Sequence, residues 1–252
     1  MNSPRFFCPD ALAPGAMLAL PDNAARHAAR VLRLAPGAAV TLFDGRGGEY
    51  AARIAAVRKD AVEAEVLAFR ERDCESPLSI RLVQALQAGD RMDLTVQKAV
   101  ELGVAAIQPV ASRRSVVRLD GERALRRVEH WRGVAASACE QCGRNRVPEV
   151  AAIEPLERWL ARPATAPLRL MLSPVAELTL QALPPARSLE LLIGAEGGLD
   201  PREAEMAAAA GFVGVRLGPR VLRTETAGLA ALAAIQTLWG DFRGGGDDVR
   251  IG

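Results

Sequence analysis

The chain has 252 residues, half of them hydrophobic and a quarter charged, with 32 basic against 30 acidic side chains and a net charge of +2. This is the profile of a globular protein with one large domain or two modest ones, and it excludes a disordered or fibrous chain. No apolar run is long and charge-free enough to cross a bilayer, and the N-terminus lacks a signal-peptide pattern, so the expectation is a cytoplasmic protein with no membrane partner. Lysine is confined to Lys59 and Lys98. Any phosphate-binding site is therefore expected to be built from arginine.

Residues 22–32 carry a short helical pattern with Asp22 as its expected cap. Three β-like runs follow, at 39–43, 50–57 and 61–69, separated by the turn signals Asp44-Gly45-Arg46-Gly47-Gly48 and Lys59-Asp60. Short strands joined by tight turns predict a small β-barrel. Helical spacing places Arg26, Arg30 and Arg33 on one face, beside His27. The polar stretch 70–77 ends in Pro77 and marks the domain boundary, which assigns residues 1–75 to the barrel.

From Leu78 strands alternate with helices. Strands are predicted at 78–86, 104–110, 168–172, 189–193 and 212–217. Helices are predicted at 90–102 with Asp90 as cap, at 121–142, near 154–160, between 173 and 188, at 200–210 and at 225–239. This alternation implies a mostly parallel sheet covered on both faces, an α/β domain over residues 76–243. The last helix is apolar nearly all round, so it belongs in a core or a subunit interface. Residues 244–252 are expected to be a disordered tail.

Cys139-x-x-Cys142 has no second pair, and a structural zinc site wants four ligands, so no metal is expected and both cysteines read as helix residues.

The chemistry concentrates between residues 189 and 227. The strand ending at Ile193 enters the turn Gly194-Ala195-Glu196-Gly197-Gly198, and Asp200-Pro201-Arg202-Glu203 then opens a helix as a capping box. The strand ending at Leu217 enters Gly218-Pro219-Arg220 and leads through Leu222-Arg223-Thr224 to the last helix. With the loop Leu172-Ser173-Pro174, these loops sit at the carboxyl ends of neighbouring strands, where open α/β sheets bind ligands. No phosphate cradle, serine elbow or zinc-protease motif occurs. A glutamate inside a glycine turn repels a triphosphate, and backbone groups between glycines suit a flat heterocycle. An adenine-bearing, cationic ligand satisfies both.

The motifs I-G-A-E-G-G-L-D-P-R-E (193–203) and L-G-P-R-V-L-R-T-E-T-A (217–227) resemble the signature of the RsmE family, 16S rRNA (uracil-N3)-methyltransferases of the SPOUT superfamily. Q-K-A-V-E-L-G-V (97–104), Arg114-Ser115, E-Q-C-G-R (140–144) and the N-terminal R-F-F, H-A-A-R-V-L-R-L and D-G-R-G-G-E-Y extend the resemblance over nearly the whole chain. Ala195 departs from it, since the family usually has proline there. The resemblance implies a PUA-like RNA-binding barrel followed by a parallel α/β domain tied in a deep trefoil knot, a fold that general topology rules would have excluded. It also implies S-adenosylmethionine as cofactor, 16S rRNA of the small ribosomal subunit as substrate and a homodimer. The cofactor pocket is then expected from Leu172, Ser173, Ile193, Gly194, Gly198, Leu217, Gly218, Leu222 and Arg223, completed by Thr226 and Ala227.

Uracil N3 is a poor nucleophile until it loses its proton, so a cation beside the base would stabilise the developing anion. Arg223 is the first candidate and Arg114 the second, with Glu196 orienting a neighbour or removing the proton. N3 lies on the Watson–Crick edge, so the base must be unpaired or flipped. Arg5, His27, Arg30, Arg33, Arg114, Arg144 and Asn145 are expected to grip the RNA. Two alternatives stay open on sequence alone: another SPOUT enzyme acting on tRNA or a ribose hydroxyl, and a non-catalytic RNA-binding assembly factor.

Overall fold

A computed structural model describes residues 3–59 and 61–243, and the tail expected at 244–252 lies outside the described residues. The chain divides into two compact units, Met1–Glu75 with Ala136–Val147, and Ser76–Ala135 with Pro148–Gly252. The segment 136–147 thus joins a unit far from it in sequence.

In the first unit, strands β1 (Arg5–Phe7), β2 (Met17–Ala19), β3 (Ala39–Phe43), β4 (Glu49–Val57) and β5 (Val62–Arg70) form one sheet in the order β1-β3-β4-β5-β2. β1 runs parallel to β3, and the remaining pairs are antiparallel. Two register shifts along β4 and β5, at Ala51/Ala52 and Ile54/Ala56, are the kind of irregularity that increases strand twist and lets a short sheet coil around a core. That core gathers Phe6, Leu42, Ile54, Val66 and Ala28. The two three-residue strands β1 and β2 are too short to show a period of two, and the sequence did not reveal them.

The helical segment departs from expectation in two ways. Helix α1 spans Asp22–Arg26 and continues as wider π turns over His27–Val31. Pro21 occupies the N-cap and Asp22 is already helical, with no side-chain cap bond. Arg33 lies beyond the helix at φ 51°, so it does not share a helical face with Arg26 and Arg30.

In the second unit, β6 (Ser79–Ala85), β7 (Ala106–Ala111), β8 (Glu149–Val150), β9 (Glu154–Pro155), β10 (Leu168–Leu172), β11 (Ser188–Ile193) and β12 (Val213–Val215) form a seven-stranded sheet. Its order is β12-β10-β11-β6-β7-β8, with β9 also on β7, and every pair is parallel. Helices α2 (Arg91–Glu101), α3 (Gly121–Cys142), α4 (Leu156–Leu160), α5 (Pro201–Ala209) and α6 (Thr224–Trp239) connect or follow the strands. Val83, Ala85 and Leu192 pack with residues of α4 and α5, among them Leu156 and Ala207, and with Trp159 and Phe212. Their alternates Leu82, Gln84 and Ile193 approach Gly228 of α6. The period of two therefore buries both sheet faces, which explains the near-continuous apolar strands.

Three expectations are corrected here. The segment 173–188 holds only a single 3₁₀ turn, Leu180–Ala182, because Pro174, Pro184 and Pro185 break a longer helix. Asp90 stands at the N-cap of α2 without a side-chain cap bond. β11 and β12 are not neighbours in the sheet, since β10 lies between them. No described helix is long and apolar enough to cross a membrane.

Candidate functional site

The loops after β10, β11 and β12 enclose a cavity of about 310 Å³. Its construction begins at Gly194. A Cβ there would lie 2.8 Å from the Gly198 carbonyl carbon and from the Leu199 nitrogen, so no larger residue fits without moving backbone. The turn is closed by the Gly198 N–H donating to the Ala195 carbonyl at 2.8 Å, and Gly198 sits at φ 72°. Ala195 is buried and packs with the cluster of Val83, Leu192 and Phe212. The position where the family usually has proline is thus an inward-packing one, and the loop closes without the ring.

The capping box at α5 is present as read from sequence: the Asp200 carboxylate accepts from the Arg202 N–H, and the Asp200 N–H donates to Glu203. Glu203 is buried and also accepts from the Arg113 N–H at 2.8 Å. This bond fixes the loop that carries Arg114, whose guanidinium donates to the Gly197 carbonyl at 2.7 Å. Arg114 therefore lies against the glycine turn.

Thr224, the first residue of α6, is the element that the sequence reading missed. Its buried hydroxyl donates to the Gly194 carbonyl at 2.6 Å and accepts from the Gln84 amide at 3.1 Å. This chain of bonds ties the turn after β11 to the start of α6 and the end of β6. The signal was available, since a threonine opening a helix beside a glycine turn is a natural backbone partner.

Of the expected cofactor residues, Leu172, Ser173, Ile193, Gly194, Gly198, Leu217, Gly218, Leu222 and Ala227 line the cavity, and Thr226 and Arg223 do not. Thr226 faces outward on α6, one position away from the lining residue Ala227. Arg223 is exposed at the N-cap of α6, and its guanidinium makes no hydrogen bond or ion pair among the described residues. Glu196 lines the cavity, and its Oε1 accepts from the Ala88 N–H at 3.3 Å and from Arg91 at 3.2 Å. Arg91 also approaches Glu225 at 3.8 Å. The cavity lining combines apolar side chains, glycine backbone, one carboxylate and the arginines Arg216 and Arg220. That donor set fits S-adenosylmethionine, a ligand with a flat purine, a cationic sulfonium and a carboxylate, and the volume is in the range of small-molecule sites.

The residues expected to hold RNA separate into two groups. Arg144 and Asn145 are buried and Arg5 is half-buried inside the first unit, in one polar network. Arg5 pairs with Glu49 at 2.5 Å and donates to Asn145 Oδ1 at 2.6 Å, Arg144 pairs with Glu75, and Asn145 donates to the Arg72 carbonyl at 3.1 Å. Most of their polar atoms are engaged within the fold, although the Arg5 Nε has no partner among the described residues. His27, Arg30 and Arg33 are exposed, and the His27 ring meets Phe6 edge-on at 6.1 Å. Cys139 is buried and pushed up to about 12 by desolvation, as is Cys8. Thiols held protonated in this way are inert. No cluster of three or more metal-ligating side chains exists among the described residues.

Residues 74–236 match the RNA methyltransferase domain family, and residues 20–67 match the RNA methyltransferase PUA domain family. The solved ribosomal RNA small subunit methyltransferase E of Neisseria gonorrhoeae, bound to S-adenosyl methionine, is 48% identical with a TM-score of 0.91, covering 96% of this chain and 100% of that one. A methyltransferase of Legionella pneumophila solved with its bound cofactor SAM is 38% identical with a TM-score of 0.92 over 96% and 100%. A ribosomal RNA small subunit methyltransferase E of Buchnera aphidicola is 32% identical over 95% of this chain and 98% of its own.

Proposed function

The chain belongs to the ribosomal RNA small subunit methyltransferase E family, and we propose that it methylates N3 of a uridine in 16S rRNA with S-adenosylmethionine as donor. The observation that carries this reading is the cavity between the loops after β10, β11 and β12, the last two bearing glycine, whose lining follows the residues that the family signature marks. S-adenosylmethionine, when bound, supplies a methyl group already activated on a sulfonium, and the chain's own residues align, hold charge and exclude water.

The Gly194–Gly198 turn presents backbone groups to the purine, while Leu172, Ile193, Leu217 and Leu222 supply apolar walls. Transfer forms an N3–C bond as the sulfur–carbon bond breaks, and the N3 proton must leave to a base. Arg223, exposed and with no ion pair from its guanidinium among the described residues, is the first candidate to stabilise the uracil anion, and Arg114 is the second. Glu196, held by Arg91, is the carboxylate available to orient a neighbour or to take the proton.

In this reading residues 1–75 act as the PUA-like RNA-binding domain, and residues 76–243 as a SPOUT domain in which the chain around β10, β11 and β12 is threaded as a trefoil knot. The insertion of β10 between β11 and β12, and the Thr224–Gly194 bond across the loops, support that threading. The enzyme acts as a homodimer in the cytoplasm, on the small subunit or its rRNA. Partly exposed Leu229, Ala230 and Ala233 on α6 support an apolar partner surface.

Nucleoside mass spectrometry after incubation with undermethylated small subunits and cofactor tests the assignment. The expected product is 3-methyluridine. A 2′-O-methyl nucleoside would assign the chain to a different chemistry, and no methylated nucleoside would leave an RNA-binding factor.

A further inference from the structure

Away from the cofactor cavity, the first unit contains a recess of about 440 Å³ between the helical segment and the turn from β4 to β5. Arg26, Arg30, Arg58 and Lys59 line it, and Asp22 is the one carboxylate among its described lining residues. Arg26 and Arg30 come from the helix and its π turns, and Arg58 and Lys59 from the end of the hairpin strand. Two separate backbone elements thus deliver positive charge to one concave surface.

Not all of that charge is neutralised by the fold. Arg58 pairs with Glu63 at 3.5 Å, and Arg26 bonds to Asn23, whereas Arg30 and Lys59 make no ion pair or hydrogen bond among the described residues. Like charges in a concave low-dielectric surface repel one another and focus a positive potential outward. Such a set binds an anion that two or more cations can share. A guanidinium takes phosphate oxygens bidentately and an ammonium takes them as a point charge.

The recess also revises the face expected from sequence. An α-helical spacing joins Arg26, Arg30 and Arg33, but the wider π turns and the positive φ of Arg33 end that series. Arg58 and Lys59 take its place from across the chain. Lysine, sparse in the sequence, thereby enters a site expected to be all arginine.

We propose that this recess binds the phosphodiester backbone of the RNA substrate, with Arg30 and Lys59 each neutralising one phosphate. The inference rests on the reading of the chain as an RNA methyltransferase, and it adds an anchoring point that includes none of the loops of the cofactor cavity.

The test is filter binding of the full-length protein to a 16S rRNA transcript across a salt series. The double variant Arg30→Gln/Lys59→Gln should make the negative slope of log K against log salt shallower by about 1.4 and weaken binding roughly 25-fold near 0.1 M salt, the counterion equivalent of two phosphates. Asp22→Asn removes the opposing charge and should tighten binding about threefold. Both variants alter exposed side chains, and S-adenosylmethionine affinity by calorimetry should match the parent protein. A double variant with the parental salt slope would overturn the recess as an RNA anchor, as would an Asp22→Asn variant that binds no tighter. Absence of RNA binding by the parent protein itself would instead remove the methyltransferase reading on which the proposal stands.

Discussion

The cofactor loops and the arginines of the first unit hold their ligands by opposite means. After β11 the shape is set by backbone: Gly194 is pressed against Gly198 and Leu199, and the turn is closed by main-chain bonds and one threonine hydroxyl. In the first unit the shape is set by long charged side chains, and near-identical residues have opposite fates. Arg5 and Arg144 are consumed by Glu49 and Glu75, while Arg30 faces solvent with no partner among the described residues. A backbone-built site tolerates almost no substitution at its glycines. A side-chain-built one should lose affinity in increments, one charge at a time.

The largest expected effect breaks the backbone-built site. Gly194→Ala forces a Cβ to within 2.8 Å of two backbone atoms. Overpacking against backbone costs up to about 3 kcal/mol, so S-adenosylmethionine affinity should fall roughly a hundredfold in calorimetry. Parental affinity would show that the turn is far softer than its contacts imply.

Next in size is Arg5→Met, which leaves buried Glu49 with Arg72 at 3.6 Å as its one remaining cation among the described residues. Breaking a largely buried pair should cost about 3 kcal/mol of stability in urea denaturation. Cofactor affinity should be unchanged, because Arg5 lies in the first unit and does not line the cavity. A variant with parental stability and weakened RNA binding would instead make Arg5 an RNA contact.

Thr224→Val removes the hydroxyl that accepts from Gln84 and donates to Gly194, leaving buried polar groups unpaired. Loss of such a bond costs about 1–2 kcal/mol, so KM for the cofactor should rise about tenfold with a smaller change in kcat. Thr224→Ser keeps the hydroxyl and should restore KM. Failure of serine to rescue would mean that the methyl group, rather than the bond, matters.

The smallest effect concerns Glu140, in the segment 136–147 of the first unit, which accepts from the Phe7 N–H at 2.9 Å. Burial pushes its carboxyl above the ordinary glutamate value, opposed by the Phe7 bond and by the charges of His27 and Arg5. A raised carboxyl favours the folded state while protonated, and that contribution is lost as pH rises through the raised value. Glu140→Gln keeps an acceptor without the charge, so it should be slightly more stable than the parent at neutral pH in urea denaturation and no more stable in acid. An advantage that is the same at both pH values would place the effect in packing.

How far each region could be read from sequence follows from the same contrast. The strand ending at Ile193, the glycine turn and the Asp200–Glu203 box are local signals, and each is present in the structure. The strand order is not local: β10 enters between β11 and β12, and nothing in the residues of any one strand specifies it. The partners of the arginines are not local either. The partner of Arg144, Glu75, lies 69 positions away, and the π turns that keep Arg33 out of the Arg26–Arg30 face leave no clear mark in composition. The three-residue strands β1 and β2 are too short to carry a period, whereas β12 lies inside the predicted run 212–217.

The molecule divides the work between a backbone-built cofactor cavity and a charge-built RNA anchor, and one paired experiment tests that division. Gly194→Ala and Arg30→Gln/Lys59→Gln are each titrated with S-adenosylmethionine by calorimetry and with 16S rRNA by filter binding. The account predicts a clean crossing: the first variant loses the cofactor and keeps RNA, and the second loses RNA and keeps the cofactor. Two variants that lose both ligands together would contradict it.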